Sequence, residues 1–77
     1  MEFLIDLNKV EDVKEFVRRA GIYDTDIIVS NQKRTYMVDG TSIMGLFSLD
    51  LSQPLIVHVS DKESGKALKE DVRKFVL

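Results

Sequence analysis

The segment from Pro54 to Ser60 constrains the fold of this chain more than any other. Leu55, Val57 and Val59 alternate with Ile56, His58 and Ser60, so an extended strand here is apolar on one side and mixed on the other. A strand wrapped on both faces reads as an unbroken apolar run. The alternation therefore calls for a sheet with one covered face and one open face.

The rest of the chain supplies the other layers. Phe3 to Ile5 reads as a short strand, wholly apolar, so its inward side is not fixed by pattern. Asn8 and Glu11 are spaced as a capping box. Val10, Val13, Phe16, Val17 and Ala20 follow at helical spacing, and Gly21 stands at the C-cap, which predicts a helix over 9–20. Asp26–Ser30 and Thr35–Val38 read as strands joined by the polar Asn31-Gln32-Lys33-Arg34, an antiparallel hairpin. Asp39-Gly40 marks a turn, and Thr41 and Ser42 are N-cap types before a short helix over 42–49. Ser60 and Glu63 suggest a second capping box. Ala67, Leu68, Val72, Phe75 and Val76 then line a C-terminal helix over 61–76. The order is β-α-β-β-α-β-α: a single α+β domain of two layers, residues 1–77.

Composition narrows the function. With no cysteine there is neither a disulfide framework nor a thiolate metal site. A net charge of −2 disfavours a nucleic-acid partner, whose backbone requires a basic face. Met1-Glu2-Phe3-Leu4-Ile5-Asp6 has no basic leader region and no long apolar run, so neither a signal peptide nor a membrane span is expected, and the expected location is cytoplasmic. His58 is the only histidine. It lacks neighbours for metal binding or a catalytic triad and reads as a solvated sheet residue. Arg18, Arg19, Lys33 and Arg34 are scattered among acids and read as solvated surface. Met37 reads as core or sheet surface. No catalytic residue and no cofactor is expected.

Thr41-Ser-Ile-Met-Gly-Leu-Phe-Ser-Leu49 resembles the regulatory-serine segment of HPr, the histidine-containing phosphocarrier of bacterial sugar uptake. Ala20-Gly-Ile-Tyr-Asp-Thr-Asp-Ile27 resembles that family's helix end and the start of its second strand. The resemblance implies an open-faced β-sandwich, βαββαβα, with a four-stranded antiparallel sheet and three helices on one face. It departs at the N-terminal side. Counted back from Ala20, the family's phosphorylated histidine falls on Lys9, and its Ala-Arg-Pro on Val10, Glu11 and Asp12. An ammonium is no substitute for a nucleophilic imidazole at neutral pH, and two acids repel a phosphoryl group. Histidine phosphocarrier activity is therefore not expected, and His58, on the wrong element and without a supporting arginine, does not restore it. The catabolite-repression homologue of the family likewise lacks the histidine, keeps the serine and acts in regulation.

That resemblance implies regulatory phosphorylation at Ser42, although a serine before a helix is commonly a cap and nothing more. Thr41 stands where the family usually carries lysine. At helical spacing Ile43, Met44 and Phe47 share one side of the short helix, while Leu46 and Leu49 point away toward a core. The first three then form an apolar patch, resembling the family's partner-docking surface, unless a loop covers them. The expected partners are proteins: an HPr kinase, a transcription regulator or a metabolic enzyme. A degenerate interaction module that is never phosphorylated is the alternative.

Overall fold

The computed structural model describes residues 1–77. Its elements are β1 (Glu2–Ile5), α1 (Val10–Ala20), β2 (Ile27–Ser30), β3 (Met37–Asp39), α2 (Ile43–Phe47), β4 (Leu55–Val59) and α3 (Lys62–Asp71), followed by a 3₁₀ turn, Arg73–Phe75. The strands form one sheet in the order β1-β4-β2-β3, every neighbouring pair antiparallel. The architecture is the α+β open-faced sandwich with three helices. Leu55, Val57 and Val59 are completely buried in β4, and His58 is exposed, as the alternation requires.

The core forms where the covered face meets the helices. Phe3 and Ile5 of β1 enter it while Leu4 turns outward, which resolves the face that the apolar run left open. Val13, Phe16 and Ala20 of α1, Leu46 of α2 and Leu68 of α3 close it from above. Val10, at helical spacing with the α1 core residues, is instead 50% exposed at the first position of the helix, while Val13 in the same turn is completely buried.

Both helix starts lie one residue later than the capping boxes predicted. The N-cap of α1 is Lys9, whose backbone N–H donates to the Asp12 carboxylate at 3.3 Å; Asn8 and Glu11 are not the capping pair. Buried Leu7 pins the chain before this point. The N-cap of α3 is Asp61, not Ser60. Its carboxylate accepts from the Ser64 N–H at 3.0 Å and from the Ser64 hydroxyl at 2.6 Å. Ser60 is still engaged with the sheet side of the turn, donating its N–H to the Asp26 carbonyl at 3.1 Å.

Further boundaries differ. The short helix expected over 42–49 spans Ile43–Phe47, with Ser42 outside it as N-cap and Ser48 as C-cap. β3 begins at Met37 rather than Thr35, because the Asn31 side-chain oxygen accepts from the Thr35 and Tyr36 N–H groups at 2.9 and 3.2 Å, holding both in the connecting turn. The last helix ends at Asp71 rather than running to 76. Residues beyond it find backbone partners on the outer edge of β1: Asp6 N–H donates to the Phe75 carbonyl at 2.8 Å, and Leu77 N–H donates to the Leu4 carbonyl at 3.0 Å. A tertiary strand contact thus replaces helix continuation, and Val76 bridges Ile5.

On the open face, strand register places Glu2, His58, Ile28 and Asp39 in one row across the sheet. Arg34, the one non-glycine residue with positive φ (58°), reaches over this row. Its guanidinium donates two hydrogen bonds to the Glu2 carboxylate, both 2.8 Å, and His58 Nδ1 lies 3.3 Å from the same group. Arg34 and His58 are therefore partnered, contrary to the expectation of unattached solvated residues.

The Arg34 hydrogen bonds, with help from its charge and from His58, lower the Glu2 pKa from 4.5 to about 2. A lowered carboxylate pKa stabilises the fold above the unfolded value and loses that contribution as pH falls from 4.5 toward 2. A carboxyl ¹³C titration is expected to place the Glu2 midpoint near 2, and Arg34→Ala to return it toward 4.5. A midpoint unmoved by that substitution would disprove the attribution.

Candidate interaction site

The segment from Asp39 to Leu49 builds its geometry from local chemistry. Asp39 ends β3, and its carboxylate accepts from the Thr41 N–H at 2.9 Å and the Thr41 hydroxyl at 2.7 Å, which turns the chain away from the sheet. Those bonds, the backbone one foremost, hold the Asp39 carboxyl below its ordinary pKa. Ser42 donates its N–H to the Asp39 carbonyl at 3.0 Å. With extended backbone angles, Ser42 is the N-cap of α2, and its Oγ accepts from the Gly45 N–H at 3.0 Å. Ser48 closes the other end, its hydroxyl donating to the Gly45 carbonyl at 2.6 Å.

Gly45 allows α2 to lie directly on β3. A Cβ at this position would stand 3.1 Å from Val38 Cβ and 3.2 Å from Ser42 Oγ, tighter than ordinary contact. This close approach sinks Leu46 completely and leaves Leu49 only 7% exposed. The opposite side of the helix faces solvent: Met44 is 80% exposed, and Ile43 and Phe47 are 39% and 40% exposed. The helix carries no charged residue, so the outward side is an uncharged apolar ridge beside a half-buried serine.

Around this ridge, α2 packs against both β3 and α1. Lys9 and Val10 stand at the start of α1, both exposed. Val10 is an exposed apolar residue that sequence spacing concealed, since periodicity assigned it to the core. Tyr36 in the turn before β3 and Met37 at its start are also exposed, 68% and 67%. His58 is on the other side of the sheet from α2, so the only imidazole and the Ser42 segment do not share a site. No group of three or more histidine, cysteine, aspartate or glutamate side chains is arranged to hold a metal ion. No helix is long and apolar enough to cross a membrane.

Three helices on one face of a β1-β4-β2-β3 antiparallel sheet, with an exposed second helix, define the architecture of a small open-faced sandwich of the HPr type. The solved structure of the phosphocarrier protein HPr from Bacillus anthracis str. Ames superposes with a TM-score of 0.70 at 19% sequence identity, covering 100% of this chain and 96% of that one. At that identity the likeness establishes the fold. No family model matches the chain, and no curated protein matches it.

Proposed function

We propose that this protein is a non-catalytic, HPr-like regulatory or adaptor protein of bacterial carbon metabolism. It docks protein partners through Ile43, Met44 and Phe47, with Ser42 as a phosphorylation switch and without histidine phosphocarrier activity. The observation that carries the reading is the orientation of α2: its ridge of three apolar side chains faces water while Leu46 and Leu49 supply the core. An exposed apolar cluster on a domain this small marks a surface used for association. A phosphoryl group on Ser42 would add about −1.5 to −2 charges beside that ridge and would occupy the oxygen that caps Gly45. Partner choice would change accordingly. The partners this reading points to are a transcription regulator or a metabolic enzyme, with an HPr kinase writing the modification.

The test is incubation with HPr kinase and ATP, read by intact mass, with Ser42→Ala as control. One added phosphate that the control lacks is the expected result. No added phosphate on demonstrably folded protein rejects the switch.

A second reading keeps the ridge and drops the modification. It is favoured by the engagement of Ser42 Oγ in the cap and by the Asp39 carboxylate just upstream, which would repel a phosphate. Under it Ser42→Ala leaves partner binding unchanged, whereas Phe47→Glu abolishes it.

A further inference from the structure

Eleven lysines and arginines face thirteen carboxylates in this chain, yet three of the cations that remain unpaired share one flank of α3. At about 100° per residue, Lys62, Lys66 and Lys69 fall within roughly 60° of one another, beside the buried line of Gly65, Leu68 and Val72. Arg73 follows in the next turn. Like charges three and four residues apart cost helix stability, and although Glu63 and Glu70 neighbour Lys66, none of Lys62, Lys66 and Lys69 is ion-paired. The cationic flank is also shaped. Lys66, Lys69, Glu70 and Arg73 line a surface groove of about 420 Å³ with Met1 and Val76.

The position of the groove follows from the fold. Met1 packs on Gly65, where a Cβ would come within 2.8 Å of its sulfur, so this side of α3 adjoins β1. Val76 bridges the outer edge of β1 and forms the other end. Within the groove Glu70 accepts from Arg73 Nη1 at 2.8 Å, which leaves the two lysine ammonium groups as its uncompensated charge. The site is separate from the α2 ridge: α3 packs on β4 and α1, and α2 on β3 and α1.

We infer that this flank of α3 is a second docking surface and that its occupant is an acidic peptide segment of a partner protein. Charge complementarity selects the class. Two or three carboxylates spaced along a peptide match ammonium groups placed one helical turn apart, and Met1 and Val76 offer apolar contact at the ends of the groove. A nucleic acid needs a broader basic face than one flank, and Glu70 lies in the groove itself while Glu63 and Asp71 occupy other sides of the same helix. A membrane surface needs apolar side chains to insert, whereas Met1 and Val76 here are half-buried.

The experiment is an NMR titration of the intact protein with a blocked hexaglutamate peptide, with hexalysine as control. Shifts are expected at Lys66, Lys69, Arg73 and Val76 but not at Ile43, Met44 or Phe47, so failure here is distinguishable from failure of the α2 reading. Lys66→Glu with Lys69→Glu is expected to weaken binding by about tenfold or more, and Lys66→Gln with Lys69→Gln to weaken it less. Far-UV circular dichroism verifies folding of each. Shifts spread equally over Lys9, Lys14 and Arg18, or affinity unchanged by the substitutions, would overturn the inference. So would preferential capture by phosphatidylserine vesicles through the same lysines, which would make the flank a membrane contact.

Discussion

Phe16→Ala is expected to leave most of the chain unfolded at room temperature. Phe16 is completely buried at the middle of α1, the helix that packs against both α2 and α3. Truncating such a phenylalanine costs about 3–5 kcal/mol, through lost transfer free energy and the cavity left behind. Domains of this size hold only about 3–5 kcal/mol in total, and this one has no disulfide to add to it. Urea unfolding followed by circular dichroism should show the native baseline lost or severely shortened. Val10→Ala, on the same helix but half exposed, should move the midpoint little, a change of about 0.5 kcal/mol or less. Equal effects at the two positions would mean that α1 is rotated from the orientation described.

The second large effect separates adjacent residues of α2. Leu46→Ala is expected to destabilise the fold by about 2–5 kcal/mol, because Leu46 is completely buried within the hydrophobic core. Phe47→Ala should cost much less, since 40% of that residue already faces water. Under the proposed docking role the order is expected to reverse: Phe47→Ala should weaken association while the protein stays folded, and Leu46→Ala should act only by reducing the folded population. Comparable destabilisation at both positions would make Phe47 a core residue and remove the basis for the docking ridge.

These tests bear on residues that differ in how readable they were. The α2 orientation was legible because helical spacing separates Ile43, Met44 and Phe47 from Leu46 and Leu49 without reference to anything distant. The alternation of β4 was legible for the same reason, and so was the βαββαβα order. Val10 was not. Its spacing is that of a core residue, and only the placement of α1 against the sheet leaves this first position exposed while Val13 is buried. The role of Ser42 as N-cap of α2 could be read from residue type.

Long-range pairings were beyond the reach of local pattern. Arg34 and Glu2 are 32 residues apart, and their bidentate contact depends on the β2–β3 loop reaching past β4 to β1. The early end of α3 has a similar origin. Its apolar spacing continues to Val76, yet the edge of β1 binds the Phe75 carbonyl at the end of the 3₁₀ turn and takes Val76 and Leu77 as extended residues. A helix boundary is set by competition between local hydrogen bonds and distant ones, and the distant partner has no local signature.

By itself, then, the amino-acid sequence determined the elements, their order, a sheet covered on one face and the outward side of α2, because each is a periodicity carried by neighbouring residues. The tertiary structure alone decided the strand order β1-β4-β2-β3, the Glu2–Arg34–His58 cluster, the exposure of Val10 and the groove between α3 and the edge of β1. Those depend on which backbone edges and side chains meet after the chain has closed on itself, and the same local patterns would permit other closures.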